Sequence, residues 1–269
     1  GLQLREGFNR WAKAGVTLFA THQAERFTLP SPLTSDTLDV FEKYTENNIS
    51  VGGEISKTQG RTVHYRAGAE FWVIGQKVGN LDLHGTADLN FRLFKDTVHL
   101  AANAYFKNVE PAFYFQHFHS AAHYWDNNLN NETRTRIEGL FTIDRTHTTF
   151  RFGVENITDY TLFANVLTPN YATDGTTISS YSHDVTVRQT SSVQVMSATL
   201  RQDLAAGIFH LDNEVTWQHT SNADALPLPV ISLYSNAYLL FHVAKVLRVE
   251  LGADMRYFTS YYAPDYAPF

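Results

Sequence analysis

From Arg248 to Tyr257 the chain alternates strictly between two kinds of residue. Arg248, Glu250, Gly252, Asp254 and Arg256 fall on one side, and Val249, Leu251, Ala253, Met255 and Tyr257 on the other. Successive strand residues point to opposite faces, so this segment predicts a strand with one polar face and one apolar face. A helix would spread the same charges round its whole circumference. The pattern recurs from end to end. In 81–93, Asp82, His84, Thr86, Asp88, Asn90 and Arg92 oppose Leu83, Gly85, Ala87, Leu89 and Phe91. In 208–220, His210, Asp212, Glu214, Thr216 and Gln218 oppose Phe209, Leu211, Val215 and Trp217, and 62–75 is similar but less clean.

These segments run to about ten residues or more, longer than the usual globular strand and long enough to cross a bilayer at a tilt. No run of 18 apolar residues occurs; the most apolar stretch, Ala237 to Leu247, is interrupted by His242 and Lys245. With a transmembrane helix excluded, a membrane-crossing form must be a closed barrel. A large soluble antiparallel sandwich or barrel would alternate in the same way and stays open at this point.

The connections separate the two. Strands are expected at 12–28, 47–57, 62–75, 81–93, 96–107, 132–144, 147–157, 185–203, 208–220, 230–245 and 248–260, eleven in all. Longer connections at 29–46, 76–80, 108–131, 158–184 and 221–229 alternate with short ones at Thr58–Arg61, Phe94-Lys95, Arg145-Thr146, Leu204–Gly207 and Val246-Leu247. Outer-membrane barrels sort their loops this way, with short turns on one side and long loops on the other. Ala112 to Trp125 would break the alternation if it crossed, so it belongs in an external loop, as a hairpin arm or folded inward. The expected fold is an all-β, antiparallel, up-and-down transmembrane β-barrel forming one domain over 1–269. The odd strand count and the loop-like close Tyr261-Tyr262-Ala263-Pro264-Asp265-Tyr266 predict a partial chain of a longer barrel.

Composition narrows the function classes. Aromatics at 14%, mostly 19 Phe and 14 Tyr, suit a pleated half-buried surface. The formal charge of −6 and the lack of a Lys/Arg cluster argue against a nucleic-acid partner. Cysteine is absent, which removes thiol catalysis, cysteine-ligated zinc and disulfides. The opening Gly1-Leu2-Gln3-Leu4-Arg5-Glu6 has no Met and no apolar leader core.

The last third resembles the Bacteroidetes-type putative porin family of outer-membrane β-barrels. The residues that carry the likeness are Gly207-Ile208-Phe209-His210-Leu211-Asp212-Asn213 before a strand ending Trp217-Gln218, and Leu226-Pro227-Leu228-Pro229 leading to Leu233-Tyr234-Ser235-Asn236. Ala244-Lys245-Val246-Leu247, Leu251-Gly252-Ala253-Asp254, Arg256-Tyr257-Phe258-Thr259 and Tyr262-Ala263-Pro264-Asp265-Tyr266 continue it. Upstream, Val154-Glu155-Asn156-Ile157-Thr158-Asp159-Tyr160 fits too, although TonB-dependent receptors use a similar string. The specific stretch is about 193–266. The resemblance implies an outer-membrane barrel of the bacterial outer membrane, with further strands beyond this chain and no catalytic residues to carry over.

Candidate site residues follow from facing. Asp82, Asp88, Arg92, Asp212, Glu214, Arg248, Glu250, Asp254 and Arg256 lie on polar strand faces, which in a barrel line a hydrated lumen. The plain alternative is that opposite charges pair and merely keep the interior wet. Tyr160, Tyr257, Tyr261 and Tyr262, with Phe163 and Phe258, fall near strand ends, where rings with a polar tip suit a membrane interface; ordinary sheet packing would place them there as well. His117, His119 and His123 suggest a metal site, but no carboxylate lies within that cluster and a loop arm with one polar face needs nothing more. Ser182-His183-Asp184 is no triad, because adjacent strand residues diverge.

The expected function is passive diffusion of small polar solutes, with no enzyme activity, cofactor or metal. Expected partners are outer-membrane lipid and other outer-membrane proteins or lipoproteins. A non-conducting barrel subunit or scaffold, or a soluble extracellular glycan-binding β protein, are the alternatives.

Overall fold

A computed structural model describes residues 1–8, 13–31, 41–60, 62–93, 96–120, 123–173 and 175–263. The strands are β1 (Leu2–Leu4), β2 (Gly15–Pro30), β3 (Phe41–Lys57), β4 (Val63–Ile74), β5 (Leu81–Leu93), β6 (Asp96–Val109), β7 (His117–His119) and β8 (Tyr124–Asp126). They continue with β9 (Glu132–Ile143), β10 (Thr148–Tyr171), β11 (Ile178–Ala206), β12 (Phe209–Thr220), β13 (Ile231–Val243) and β14 (Leu247–Phe258). One four-residue helix, α1 (Phe113–Gln116), precedes β7. Twelve strands form one antiparallel sheet in chain order, with β7 and β8 set aside as a small hairpin. Each neighbour in the sheet is the next sheet strand in sequence, which makes an up-and-down meander.

Eleven of the twelve are long, and they correspond one to one with the strands expected from alternation. Boundaries differ most in two places. β2 and β3 run on to Pro30 and back from Phe41, so the connection between them is shorter than 29–46. The expected loop 158–184 is instead an extended hairpin, because β10 and β11 reach 24 and 29 residues and stay paired as far as Tyr171 and Ile178. Ala112–Trp125 does lie in a connection, and it carries α1, β7 and β8. The turn Phe94-Lys95, part of 29–46 and the Pro264–Tyr266 end of the family motif lie outside the described residues.

Few apolar side chains are buried: Leu29, Val98, Trp125, Ile157, Val185, Val193 and Ala225 are those below a tenth exposed among the described residues. The outward set stands bare, with Leu18 58%, Ile137 65%, Phe209 63% and Leu251 64% exposed. The register puts these on the same side of the sheet as Val51, Ala69, Leu83, Leu100, Phe150 and Met255. Soluble monomers rarely expose contiguous apolar area beyond a few hundred Å². Among the described residues the other sheet is the β7–β8 hairpin of two three-residue strands, too small to cover a face of this one, so a sandwich core is not formed. Hydrocarbon is the solvent that suits such a face.

The sheet is curled with its polar face inward. Two residues of α1 only two apart in sequence touch distant strands: Phe113 stacks on Phe27 of β2 at 3.8 Å, and Phe115 meets Phe163 of β10 at 4.6 Å. β2 and β10 are separated by six inter-strand spacings, about 29 Å along a flat sheet. Strand side chains stand roughly perpendicular to the sheet and add little lateral reach. The two strands must therefore approach each other on the face that carries Phe27, which the register identifies as the polar one. Close inward packing suits this curvature. A Cβ on Gly252 would lie 2.5 Å from both the Ala237 carbonyl oxygen and Tyr238 Cβ, so the glycine permits a close approach of β13.

Candidate functional site

Tracing pairs across the sheet brings all nine charged candidates onto one face. Asp82 and Asp88 on β5 pair with Glu70 and His64 of β4, and Arg92 faces Thr97 of β6. Across the sheet, Arg201, Glu214, Tyr234 and Arg256 form one row, and Asp203, Asp212, Asn236 and Asp254 form the next. Arg248 faces His242 and Glu250 faces Leu240. Asp82 is bound by Lys107 at 2.9 Å and by His84 at 3.2 Å. The other eight make no ion pair within 4.0 Å among the described residues; Arg256 lies 5.5 Å over the Tyr234 ring.

The tightest charge lattice on this face is one that sequence reading passed over. It sits on β9 and its neighbours. Arg136 donates to Glu138 at 2.6 Å and to Glu155 at 3.3 Å, while Tyr105 donates its hydroxyl to Glu155 at 2.7 Å. Arg134 pairs closely with Glu132 and lies 3.6 Å from Glu155. The buried Glu132 also accepts the Thr161 backbone N–H at 3.1 Å. Arg151 reaches Glu138 at 4.0 Å. The signal was present: Glu132-Thr133-Arg134-Thr135-Arg136-Ile137-Glu138 alternates charges at every second residue, which stacks them on one face of a strand. Charges so placed are worth keeping in a wet interior because each has a partner within reach.

Above this lattice the insert between β6 and β9 folds inward. Asn80 ties down both its ends, accepting the Glu110 N–H at 3.1 Å and the Asn131 side-chain amide at 3.3 Å. Aromatic packing holds its middle. Phe113 also meets Tyr44 edge-on at 5.3 Å, and Trp125 stacks on Phe118 at 4.8 Å.

The three histidines do not converge. His117 Nδ1 and His119 Nε2 both meet Asp126 Oδ1, at 2.7 and 3.2 Å, whereas His123 turns to Asp184 at 3.2 Å. The missing carboxylate is thus Asp126, which the β7–β8 pairing sets directly opposite His117. Among the described residues no group of three or more His, Asp or Glu side chains is placed to hold a metal ion. Burial pushes the Asp126 carboxyl up, but hydrogen bonds from Tyr124, His117 and His119 outweigh it and hold the group below its ordinary range. The buried His119 presents Nδ1 to the Pro30 carbonyl at 3.2 Å, so that ring nitrogen donates.

The four tyrosines gather at the end of the sheet that carries the longer connections. Tyr257 closes β14 on the outward face and is 55% exposed, and Tyr262 beyond it is 96% exposed. Tyr261 meets Phe258 edge-on at 6.2 Å. Tyr160 pairs with Thr190 just past Asp159, whose φ of 55° marks the point where β10 parts from β9.

No curated protein and no solved structure matches the chain. A family described as "Putative porin" matches it over residues 1–269, well beyond the 193–266 stretch that carried the resemblance. That description implies an outer-membrane, porin-like role, and it agrees with a sheet that is polar within and apolar without. The chain belongs to the putative porin family.

Proposed function

We propose that the chain forms the wall of an outer-membrane pore that passes small polar solutes by passive diffusion. One observation carries this reading: a polar face runs inward across the long strands, with Asp, Glu, Lys or Arg on all of them but β13, backed by an outward face of exposed apolar side chains. Water solvates the first and lipid the second. Asp82, Asp88, Arg92, Asp212, Glu214, Arg248, Glu250, Asp254 and Arg256 line the lumen in this reading, and Tyr160, Tyr257, Tyr261 and Tyr262 sit at the membrane interface. Lipid of the outer membrane is then the principal partner.

The test is a planar bilayer record with full-length protein from detergent. Discrete conductance steps are expected, and Arg248→Ala with Arg256→Ala shifts the reversal potential toward cations. An unshifted reversal potential removes these two arginines from the lumen. Absence of steps favours the second reading, a plugged subunit or scaffold of a larger outer-membrane assembly. The inward insert, anchored to β2 on one side and to β10 on the other, is the observation that supports it.

A further inference from the structure

The charges of this chain are sorted by face. On β2 and β3 the inward positions carry Glu25, Glu42, Glu46 and Glu54 and no Lys or Arg. On β4 and β5 they carry Glu70, Asp82 and Asp88 against Arg66 and Arg92. β6, β9 and β10 reverse the balance, with Glu132, Glu138 and Glu155 against Lys107, Arg134, Arg136 and Arg151. On β11 to β14, Asp203, Asp212, Glu214, Glu250 and Asp254 face Arg201, Arg248 and Arg256. The inward faces of these strands therefore hold fifteen carboxylates and nine Lys or Arg. The whole chain has 27 acidic and 21 basic side chains, which leaves twelve of each elsewhere. All of the formal −6 is on the inward face.

Its distribution matters as much as its size. On β9 and β10 every inward carboxylate has an arginine within 4.0 Å, so that wall is neutralised locally. On the β2–β3 wall Glu25 is held by Lys77 at 2.9 Å and Glu54 by Arg66 at 3.4 Å, whereas Glu46, Asp88, Asp212, Glu214, Glu250 and Asp254 have no Lys or Arg within 4.0 Å among the described residues. The β2–β3 wall, where Glu46 has no cationic partner among the described residues, is also where α1 packs, so the lumen is narrowed beside it. Two cavities of about 330 and 350 Å³ flank α1; both are lined by Glu46 and Glu110, joined by Lys43 in the first and by Glu25 and its partner Lys77 in the second. A charge acts over about 8 Å at physiological ionic strength. An ion passing beside α1 stays within that reach of the acidic wall, where it would escape it in a wide lumen.

We infer that the pore prefers cations to anions and takes cationic or neutral polar solutes over anionic ones. The inference rests on the pore reading above. A field summed over a wall, with no single binding site, sets the preference.

The experiment is the zero-current potential of full-length protein in a planar bilayer under a tenfold KCl gradient. Wild type gives a potential of the sign that marks K⁺ over Cl⁻, a several-fold preference that collapses toward unity near 1 M salt, where the screening length falls to about 3 Å. Glu46→Gln with Asp88→Asn lowers the preference, while Arg248→Ala with Arg256→Ala raises it. Variants are compared only where the unboiled band still migrates as folded barrel. Conducting channels with a potential near zero, or of the anionic sign, overturn the inference and leave the pore standing. A folded barrel that never conducts overturns the pore and the inference together.

Discussion

Two excursions leave the same rim of the sheet and part company. The insert between β6 and β9 turns inward, and the outer halves of β10 and β11 run straight on as a two-stranded ribbon. The insert packs Phe113, Tyr114, Phe115, Phe118 and Trp125 into little more than a dozen residues, and these find Phe27, Tyr44 and Phe163 on the sheet. The ribbon is rich in Ser, Thr and Asn, and each residue from Tyr160 to Asn170 pairs with a partner on the facing strand. A segment dense in rings gains by leaving water for a surface that already carries rings. A segment that satisfies its own backbone along one ladder and carries few rings gains little by folding back.

The comparison can be broken first at Phe113. Phe113→Ala removes the stack on Phe27 and costs the docked insert about 2 kcal/mol, a shift of about thirtyfold toward the undocked form. Single-channel conductance should rise or become noisy; an unchanged record would show that the insert does not narrow the path. Acid tests the same anchor from its polar side. Because the Asp126 carboxyl is held below its ordinary range in the docked insert, its contribution is present above that range and is lost as the pH falls through the depressed value. Emission from Trp125, with the three other tryptophans replaced by Phe, should hold steady down to the ordinary carboxylate range and change only below it. A change nearer neutrality would assign the release to another group.

The opposite rim supplies a control. Ala244 and Lys245 both have positive φ, 52° and 61°, at the two central positions of the 243–246 turn between β13 and β14, which the Val246 N–H closes on the Val243 carbonyl at 3.3 Å. Such turns favour Asn-Gly, so Lys245→Gly should stabilise the barrel by about 1 kcal/mol without altering conductance, read as a higher temperature of the heat-induced gel shift. The smallest effect is expected in the ribbon. Replacing 167–183 by Asn-Gly, which keeps the Val166–Asp184 pair, should leave both the gel shift and the conductance as they are. A loss of folded barrel would mean that the ribbon is part of the stable unit.

Alternation revealed the long strands because burial in lipid on one face and water on the other writes period two into the residues. The same rule explains the main miss. The outer part of the ribbon, 166–171 and 178–182, is mostly exposed, so no apolar stripe betrays a strand there, and 158–184 reads as loop. The β10 boundary expected at 157 falls just short of Asp159, where β10 leaves its neighbour β9: the sequence recorded the end of the two-faced environment and not the end of the strand. Facing was legible for Asp212 or Arg256 for the same reason. Pairing was not, since whether Glu155 meets Arg136 depends on register between strands, and register lies in no single segment. Asp126 escaped notice because only the β7–β8 hairpin turns it back onto His117.

The outward face has a consequence for how such a protein travels. Along most of the strands its apolar residues alternate with polar ones and no apolar run is long, so anything that scans the polypeptide linearly meets a largely water-compatible chain. Greasiness here is a property of the paired sheet, created when neighbouring strands align their alternate residues. Until that pairing the chain carries its membrane address in code, and the lipid bilayer is the place where the code becomes a surface.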